Sequence, residues 1–384
     1  MARNNSYDVV VTGTGVFGAW TASCLRRSGK RVALVDAYGP GNARASSGGE
    51  SRLIRMAYGA DELYTRWSMH SLEVWKEFFA RTGKSLFHQT GILWIANAHD
   101  PQAEASRETL KRVGVRHEVL NRGELEARFP QIGFGEASWG IFEPDSGVLL
   151  ARRAVAAVVE AAVGEGVDYF QELIAMPTSG GKIASVRTSA SREIHAAEFI
   201  FACGPWLGKI FPDLLRERIF VTRQEVYFFG VPAGDRRFAP PAMPGWLFQA
   251  DLTYGVPDLE SRGFKIALDS HGPTFDPDTD SRVPTVERVS AMRAYLVERF
   301  PGLADAPLVE ARVCQYENTS NGDFLVDRHP QHDNVWLVGG GSGHGFKHGP
   351  AMGEYVAGRL IGTVAAEPRF SLVSKETVQR RTVY

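Results

Sequence analysis

Asp8-Val9-Val10-Val11-Thr12-Gly13-Thr14-Gly15-Val16-Phe17-Gly18 and, beyond it, Arg31-Val32-Ala33-Leu34-Val35-Asp36 decide how this chain is read. The Val9 to Val11 run has the apolar character of a buried strand, and three glycines follow it in the spacing Gly-x-Gly-x-x-Gly. A helix is expected through Ala19 to Ser28, stopped by Gly29, and Arg31 to Val35 reads as a second strand. Together these make a βαβ unit of ordinary length. Gly13, Gly15 and Gly18 allow backbone N–H groups to approach a bulky ligand. Asp36 closes the second strand 18 residues past Gly18, where an acidic group meets a ribose hydroxyl.

A second glycine-rich segment, Gly339-Gly340-Gly341-Ser342-Gly343-His344-Gly345-Phe346-Lys347, lies near the other end of the chain. It follows the apolar Val335 to Val338 and precedes a helix that Pro350 is suited to open. Both segments therefore sit at strand-to-helix turns, and one large cofactor held from both ends of the chain is the first expectation.

Between them the αβ rhythm continues. Glu62 to Arg81 carries Leu63, Trp67, Val74 and Phe78 near helical spacing and ends at Gly83. Thr90 to Ala96 reads as a strand, Ala151 to about Gly164 as a helix, and Val167 to Phe170 as a strand. Glu198 to Ala202 is a further strand, ending in Cys203-Gly204-Pro205, again a turn suited to a ligand. From 216 to 314 the character changes to β-rich runs, Glu225 to Val231 and Phe264 to Leu268, with one amphipathic helix around Val286 to Phe300. The fold class is α/β, α+β overall, with a Rossmann-like nucleotide-binding domain and a second domain.

Composition narrows the function. In 384 residues, 43 basic and 44 acidic side chains are mixed along the chain and leave a net charge of -1, so neither nucleic acid nor an anionic membrane is an expected partner. Three scattered cysteines, Cys24, Cys203 and Cys314, have no metal-ligand spacing and do not form a disulfide framework. A cytoplasmic location is expected, with no signal peptide in the polar Met1 to Tyr7 and no membrane span.

Five segments, in order, carry a resemblance: the first glycine loop, Ser46-Ser47-Gly48-Gly49-Glu50-Ser51-Arg52-Leu53-Ile54-Arg55, Phe142-Glu143-Pro144-Asp145-Ser146-Gly147, Cys314-Gln315-Tyr316, and Ser342-Gly343-His344-Gly345-Phe346-Lys347. The chain closely resembles the monomeric sarcosine oxidase and N-methyltryptophan oxidase family of FAD-dependent amine oxidases. The resemblance implies a discontinuous FAD-binding domain of residues 1–85, 150–215 and 315–384. Interleaved with it would be a substrate domain of residues 86–149 and 216–314, built on a mixed β-sheet.

It also implies roles. Gly13, Gly15, Val16, Phe17, Gly18, Asp36, Ala37, Ser46, Arg52, Cys203, Gly204, Gly341, Gly343, His344, Gly345, Phe346 and Lys347 would hold FAD, with Cys314 as the thiol that bonds covalently to the flavin. Read from the residues alone, with no second metal-type ligand nearby, His344 is a hydrogen-bonded structural histidine rather than a ligand or a base. Arg52 would lie against the flavin while Arg55 and Lys347 bind the substrate carboxylate, a guanidinium through two parallel hydrogen bonds and an ammonium as a point charge. Their spacing of three would place Arg52 and Arg55 on one side of a helical turn. Lys265 would promote reaction with dioxygen by stabilising superoxide, and Tyr254 and Tyr316 match substrate-site tyrosines.

Departures from the family pattern bear on attachment and on substrate. Ser47 and Gly48 replace a histidine pair associated with flavin contact and attachment. Asp269 stands in place of an active-site histidine, and Glu317 in place of a small hydroxyl residue. If both acids face the pocket they favour a substrate with an added cationic or polyhydroxyl portion; the alternative is a pair of surface acids. The expected reaction is oxidation of a secondary amino acid by hydride transfer to flavin N5, giving an imine that hydrolyses, with dioxygen reduced to hydrogen peroxide by a monomeric enzyme. Its rivals are a dehydrogenase using another electron acceptor and an oxidase of sugar-modified amino acids.

Overall fold

The computed structural model describes residues 6–175 and 181–380, so the lead from Met1 to Asn5 lies outside the described residues. Val32–Val35, Ser6–Thr12, Glu193–Phe201 and Val335–Gly339 lie side by side in parallel, with Asp168–Phe170 parallel on the far edge of Val32–Val35. Val32–Val35 and Val335–Gly339 are buried at every position, as strands covered on both faces must be. Leu325–Arg328 adds antiparallel to Val335–Gly339, while Ser185–Thr188 and Ile174–Ala175 extend the other half of the long Glu193–Phe201 strand.

The Val16–Arg27 helix packs on the Gly349–Ile361 helix, which brings the two glycine segments together. Trp20 is the contact: a Cβ added at Gly349 or Gly353 would fall within 2.7 or 2.8 Å of its side chain. Trp20 in turn meets Trp75 edge-on at 5.0 Å, a geometry adding about 0.5–1.5 kcal/mol beyond area burial. Gly13 takes φ +106°, and a Cβ there would lie 2.3 Å from the Ala202 carbonyl oxygen. At Gly18 it would lie 1.9 Å from the Gly13 oxygen, so this glycine seats the helix on the turn.

The second sheet has the strand order Leu308–Thr319, Ile219–Phe229, Phe264–Leu268, Thr253–Val256, Gly245–Phe248, Ile92–Ala96, Trp139–Glu143, Glu118–Asn121. It is mixed, parallel only between Gly245–Phe248 and Ile92–Ala96. Leu308–Thr319 pairs along the whole of Ile219–Phe229, so the expected boundary between 314 and 315 falls inside one strand. Arg52–Ile54, Gly147–Leu149 and Phe87–His88 form a third, small antiparallel sheet.

Candidate functional site

Four strands of the parallel sheet, Val32–Val35 among them, end at one cavity of about 350 Å³. Ser6–Thr12 delivers Gly13, Gly15, Val16 and Phe17 to its wall, Glu193–Phe201 delivers Cys203 and Gly204, and Val335–Gly339 delivers Gly341, Gly343, Gly345 and Phe346. Asp36, Ala37, Ser46 and Arg52 line it too. A crevice outside the carboxyl ends of parallel strands is where open α/β sheets bind ligands. The Asp36 carboxylate accepts from Thr14 N at 2.8 Å and from Tyr38 N and Gly39 N, each at 2.7 Å, tying the glycine turn to the end of the second strand. Of the expected cofactor residues, Gly18 packs beneath the turn, and Cys314, His344 and Lys347 lie off this wall.

A second, smaller cavity of about 50 Å³ shares Arg52, Tyr316, Gly343 and Phe346 with the first. Arg55, Tyr254, Asp269, Ser342, His344 and Lys347 complete its polar lining. Arg55 is buried, donates to the Ala57 carbonyl oxygen, and lies over the rings of Trp94 at 4.5 Å and Tyr58 at 4.7 Å. Lys347 Nζ donates to the Tyr58 hydroxyl at 2.7 Å and to His344 O at 3.1 Å. Burial, reinforced by Arg55, pushes the Lys347 ammonium well below the usual lysine range. Tyr316 donates its hydroxyl to Asp269 Oδ1 at 2.7 Å. Burial raises the Asp269 carboxyl, opposed by that hydrogen bond and by Arg55 and Lys347.

Lys265 is 1% exposed, donates to Ser51 O at 3.2 Å, and sits 5.1 Å from the centre of the Tyr254 ring. Burial, with the Arg52 guanidinium adding to it, pushes its ammonium down to about 7. Tyr254 is held up to about 12, also by burial.

Two expectations change. Arg52–Ile54 is a strand paired antiparallel with Gly147–Leu149, so helical spacing is not what unites the two arginines; Arg55 enters the small cavity from just past the strand. Glu317 does not face that cavity. It lies on the Leu308–Thr319 strand, where neighbouring side chains alternate: Tyr316 reaches the small cavity and Glu317 turns to the large one alone. Cys314 touches Arg52 Nη2 at 3.7 Å and Ser46 O at 4.0 Å, both residues of the large cavity, and is half-buried. At Gly48 an added Cβ would stand 1.9 Å from Asn42 O, so no histidine fits there, while Ser47 Oγ accepts from Val16 N at the start of the first helix.

The sequence reading assigned nothing to Tyr58 or to the buried Glu143. The Glu143 carboxylate accepts from Met56 N at 2.7 Å, Ala57 N at 3.0 Å, Trp94 Nε1 at 3.1 Å and Ser146 Oγ at 2.5 Å, fixing the backbone beside Arg55. The presence of Glu143 and Ser146 in one of the five resembling segments was the available signal.

Among the described residues no helix is long and apolar enough to cross a membrane, and no group of three or more side chains is placed to hold a metal ion. A family model described as FAD dependent oxidoreductase matches residues 8–359. The chain is 30% identical to a monomeric sarcosine oxidase of Bacillus sp. (strain B-0618), over 98% of this chain and 99% of that protein. It is 26% identical to an N-methyl-L-tryptophan oxidase of Salmonella heidelberg, over 95% and 97%. Among solved structures it is similar to an L-proline dehydrogenase from P. horikoshii, with a TM-score of 0.82, 20% identity, and 94% and 95% of the two chains covered.

Proposed function

The chain belongs to the FAD-dependent oxidoreductase family and acts on CH–NH groups, and from that premise we propose that it is an oxidase of a secondary, N-alkyl amino acid. The observation that carries this reading is the small cavity, where buried Arg55 and Lys347 stand together against a wall shared with the cofactor cavity.

FAD fits the residues present. The turn at Gly13 has no room for a side chain, the N-terminus of the Val16–Arg27 helix opens on the large cavity, and Asp36 stands beside it. When bound, FAD supplies the two-electron acceptor, taking a hydride equivalent from the carbon beside the substrate nitrogen and returning the electrons to dioxygen as hydrogen peroxide.

The protein's own groups bind and orient. Arg55 and Lys347 hold the carboxylate, with the guanidinium kept in place by the Trp94 and Tyr58 rings and by Ala57 O. A neutral amine is needed, because an ammonium has no lone pair to stabilise the developing iminium. The field of Arg52, Arg55 and Lys347 disfavours the ammonium and so supplies that condition without a strong general base. The released imine hydrolyses in water. Lys265, buried beside Tyr254, is the cation for oxygen reduction.

Asp269 favours a second reading of the substrate. Its carboxyl lines the small cavity beside Tyr316, which suits an amino acid whose nitrogen carries a cationic or polyhydroxyl substituent. A peroxide-release screen decides. Sarcosine, N-methylated aromatic amino acids, cyclic imino acids and sugar-modified amino acids are compared with the same amines lacking the carboxylate. Activity is expected only with the carboxylate present, and turnover confined to amines without one would reject the proposal.

A further inference from the structure

The large cavity carries more acid than base. Asp36, Glu172, Asp278 and Glu317 line it against the single guanidinium of Arg52, among the described residues. Three of the acids are compensated. Asp36 accepts three backbone N–H groups, Glu172 pairs with Arg192 at 3.1 Å, and Asp278 pairs with Lys209 at 2.6 Å and accepts from Trp206 Nε1 at 2.7 Å.

Glu317 is different. It is 6% exposed and has no ion-pair partner among the described residues; its carboxyl accepts only from the backbone of Gly340 and Gly341, and Oε1 has no partner there. Oε1 lies close against the backbone of Gly339, where an added Cβ would stand 2.4 Å from it. The other titratable neighbour is Cys203, whose thiol is pushed up by burial and then by the negative charges of Asp36 and Glu317. A buried carboxylate without a counter-ion is the form the fold disfavours. FAD brings two further negative charges on its diphosphate into the same cavity.

We propose that Glu317 is a cofactor-binding residue that is protonated while FAD is held, so that FAD uptake carries a proton into the cavity and loss of that proton releases the cofactor. Burial already raises this carboxyl to about 7 before any cofactor charge is added, and the diphosphate raises it further. The sign follows from linkage: the bound state holds the proton more tightly, so affinity is full below about pH 7 and falls as pH rises, by up to about tenfold per unit.

The test is made on holoprotein carrying Cys314→Ser, so that no thioether can hold the flavin. Samples are diluted into buffers from roughly pH 6 to 9, and FAD in the filtrate is measured by its fluorescence. The apparent dissociation constant is expected to rise at least about tenfold between pH 7 and 9. Adding Glu317→Gln, which keeps the shape and cannot ionise, is expected to flatten the dependence to within about twofold. A pH-independent constant in the parent, or an unchanged rise with glutamine, overturns the proposal. If the glutamine variant does not fold, Glu317→Thr, which also cannot ionise, takes its place in the same measurement: a flattened dependence supports the proposal and an unchanged rise rejects it.

Discussion

The Tyr58 hydroxyl stands 2.7 Å from Lys347 Nζ and 2.8 Å from His348 Nε2, joining the ammonium on the wall of the small cavity to a fully buried imidazole. With Lys347 charged, its N–H donates to the hydroxyl, whose oxygen also meets His348 Nε2 and, at 3.3 Å, His344 Nδ1, so that the tautomers of the two rings set which of them takes the hydroxyl proton; the His348 imidazole is neutral, as burial and the Lys347 charge require. Tyr58→Phe removes one of the two acceptors of a buried ammonium, worth about 1.5–3 kcal/mol, and leaves His344 O as the other. The Lys347 pKa then falls further and its charge survives only at lower pH. The expected outcome is a KM for the carboxylate substrate about tenfold higher at pH 7. The alkaline limb of kcat/KM should move to lower pH; a KM and pH profile like the parent's would remove Tyr58 from this role.

Asp269 sets the second prediction. In Asp269→Asn the hydrogen bond from Tyr316 can persist while the negative charge goes. Selectivity, measured as a ratio of kcat/KM values, should shift by about five- to tenfold toward sarcosine and away from amines bearing a cationic or polyhydroxyl group. An unchanged ratio would mean that Asp269 supports Tyr316 and does not read the substrate.

How much of this was readable in advance follows from the range of the interactions. The βαβ unit was legible because its period, its glycines and Asp36 are local signals, and its helix runs Val16–Arg27 where Ala19 to Ser28 was expected. Glu317 was misplaced because Tyr316 beside it lines both cavities whereas Glu317 lines only the large one, and no local pattern tells the two apart. Arg52 and Arg55 suggested a helix by spacing, whereas pairing with Gly147–Leu149, far along the chain, makes the segment a strand. The contact of Tyr58 with Lys347 joins residues 289 apart, a distance over which no sequence pattern speaks.

Lys265 supplies a pH test. Its ammonium is pushed down to about 7, so the cation is present below that value and lost above it. Oxygen consumption by the substrate-reduced enzyme should therefore slow as pH rises through 7. Lys265→Met should lower that rate on the order of 100-fold and abolish its dependence on this group. Rapid mixing of reduced enzyme with oxygenated buffer measures both, and an oxygen rate untouched by methionine would remove Lys265 from the step.

Covalent attachment at Cys314 is open to a direct test. The thiol lies 3.7 Å from Arg52 Nη2, and Arg52 itself lines the large cavity. Acid precipitation is expected to leave yellow colour in the pellet of the parent and to move it to the supernatant in Cys314→Ser. Colour wholly in the supernatant of the parent would show that FAD is held without the bond, consistent with a Gly48 that has no space for histidine.

Glu143 is the outer support of the carboxylate clamp. Its two oxygens take four donors, two of them the backbone N–H groups of Met56 and Ala57, and Ala57 O in turn accepts from Arg55. In Glu143→Gln one oxygen becomes an amide nitrogen that cannot accept, leaving at least one buried donor unpaired. The expected loss is about 1–3 kcal/mol of stability by denaturant unfolding. The same loosening frees the turn after the Arg52–Ile54 strand, so KM for the amino acid should rise by about three- to tenfold while kcat changes less. Because the carboxylate reaches Arg55 only through that turn, a variant that loses stability but keeps its parent KM would show that Glu143 braces the fold and not the clamp.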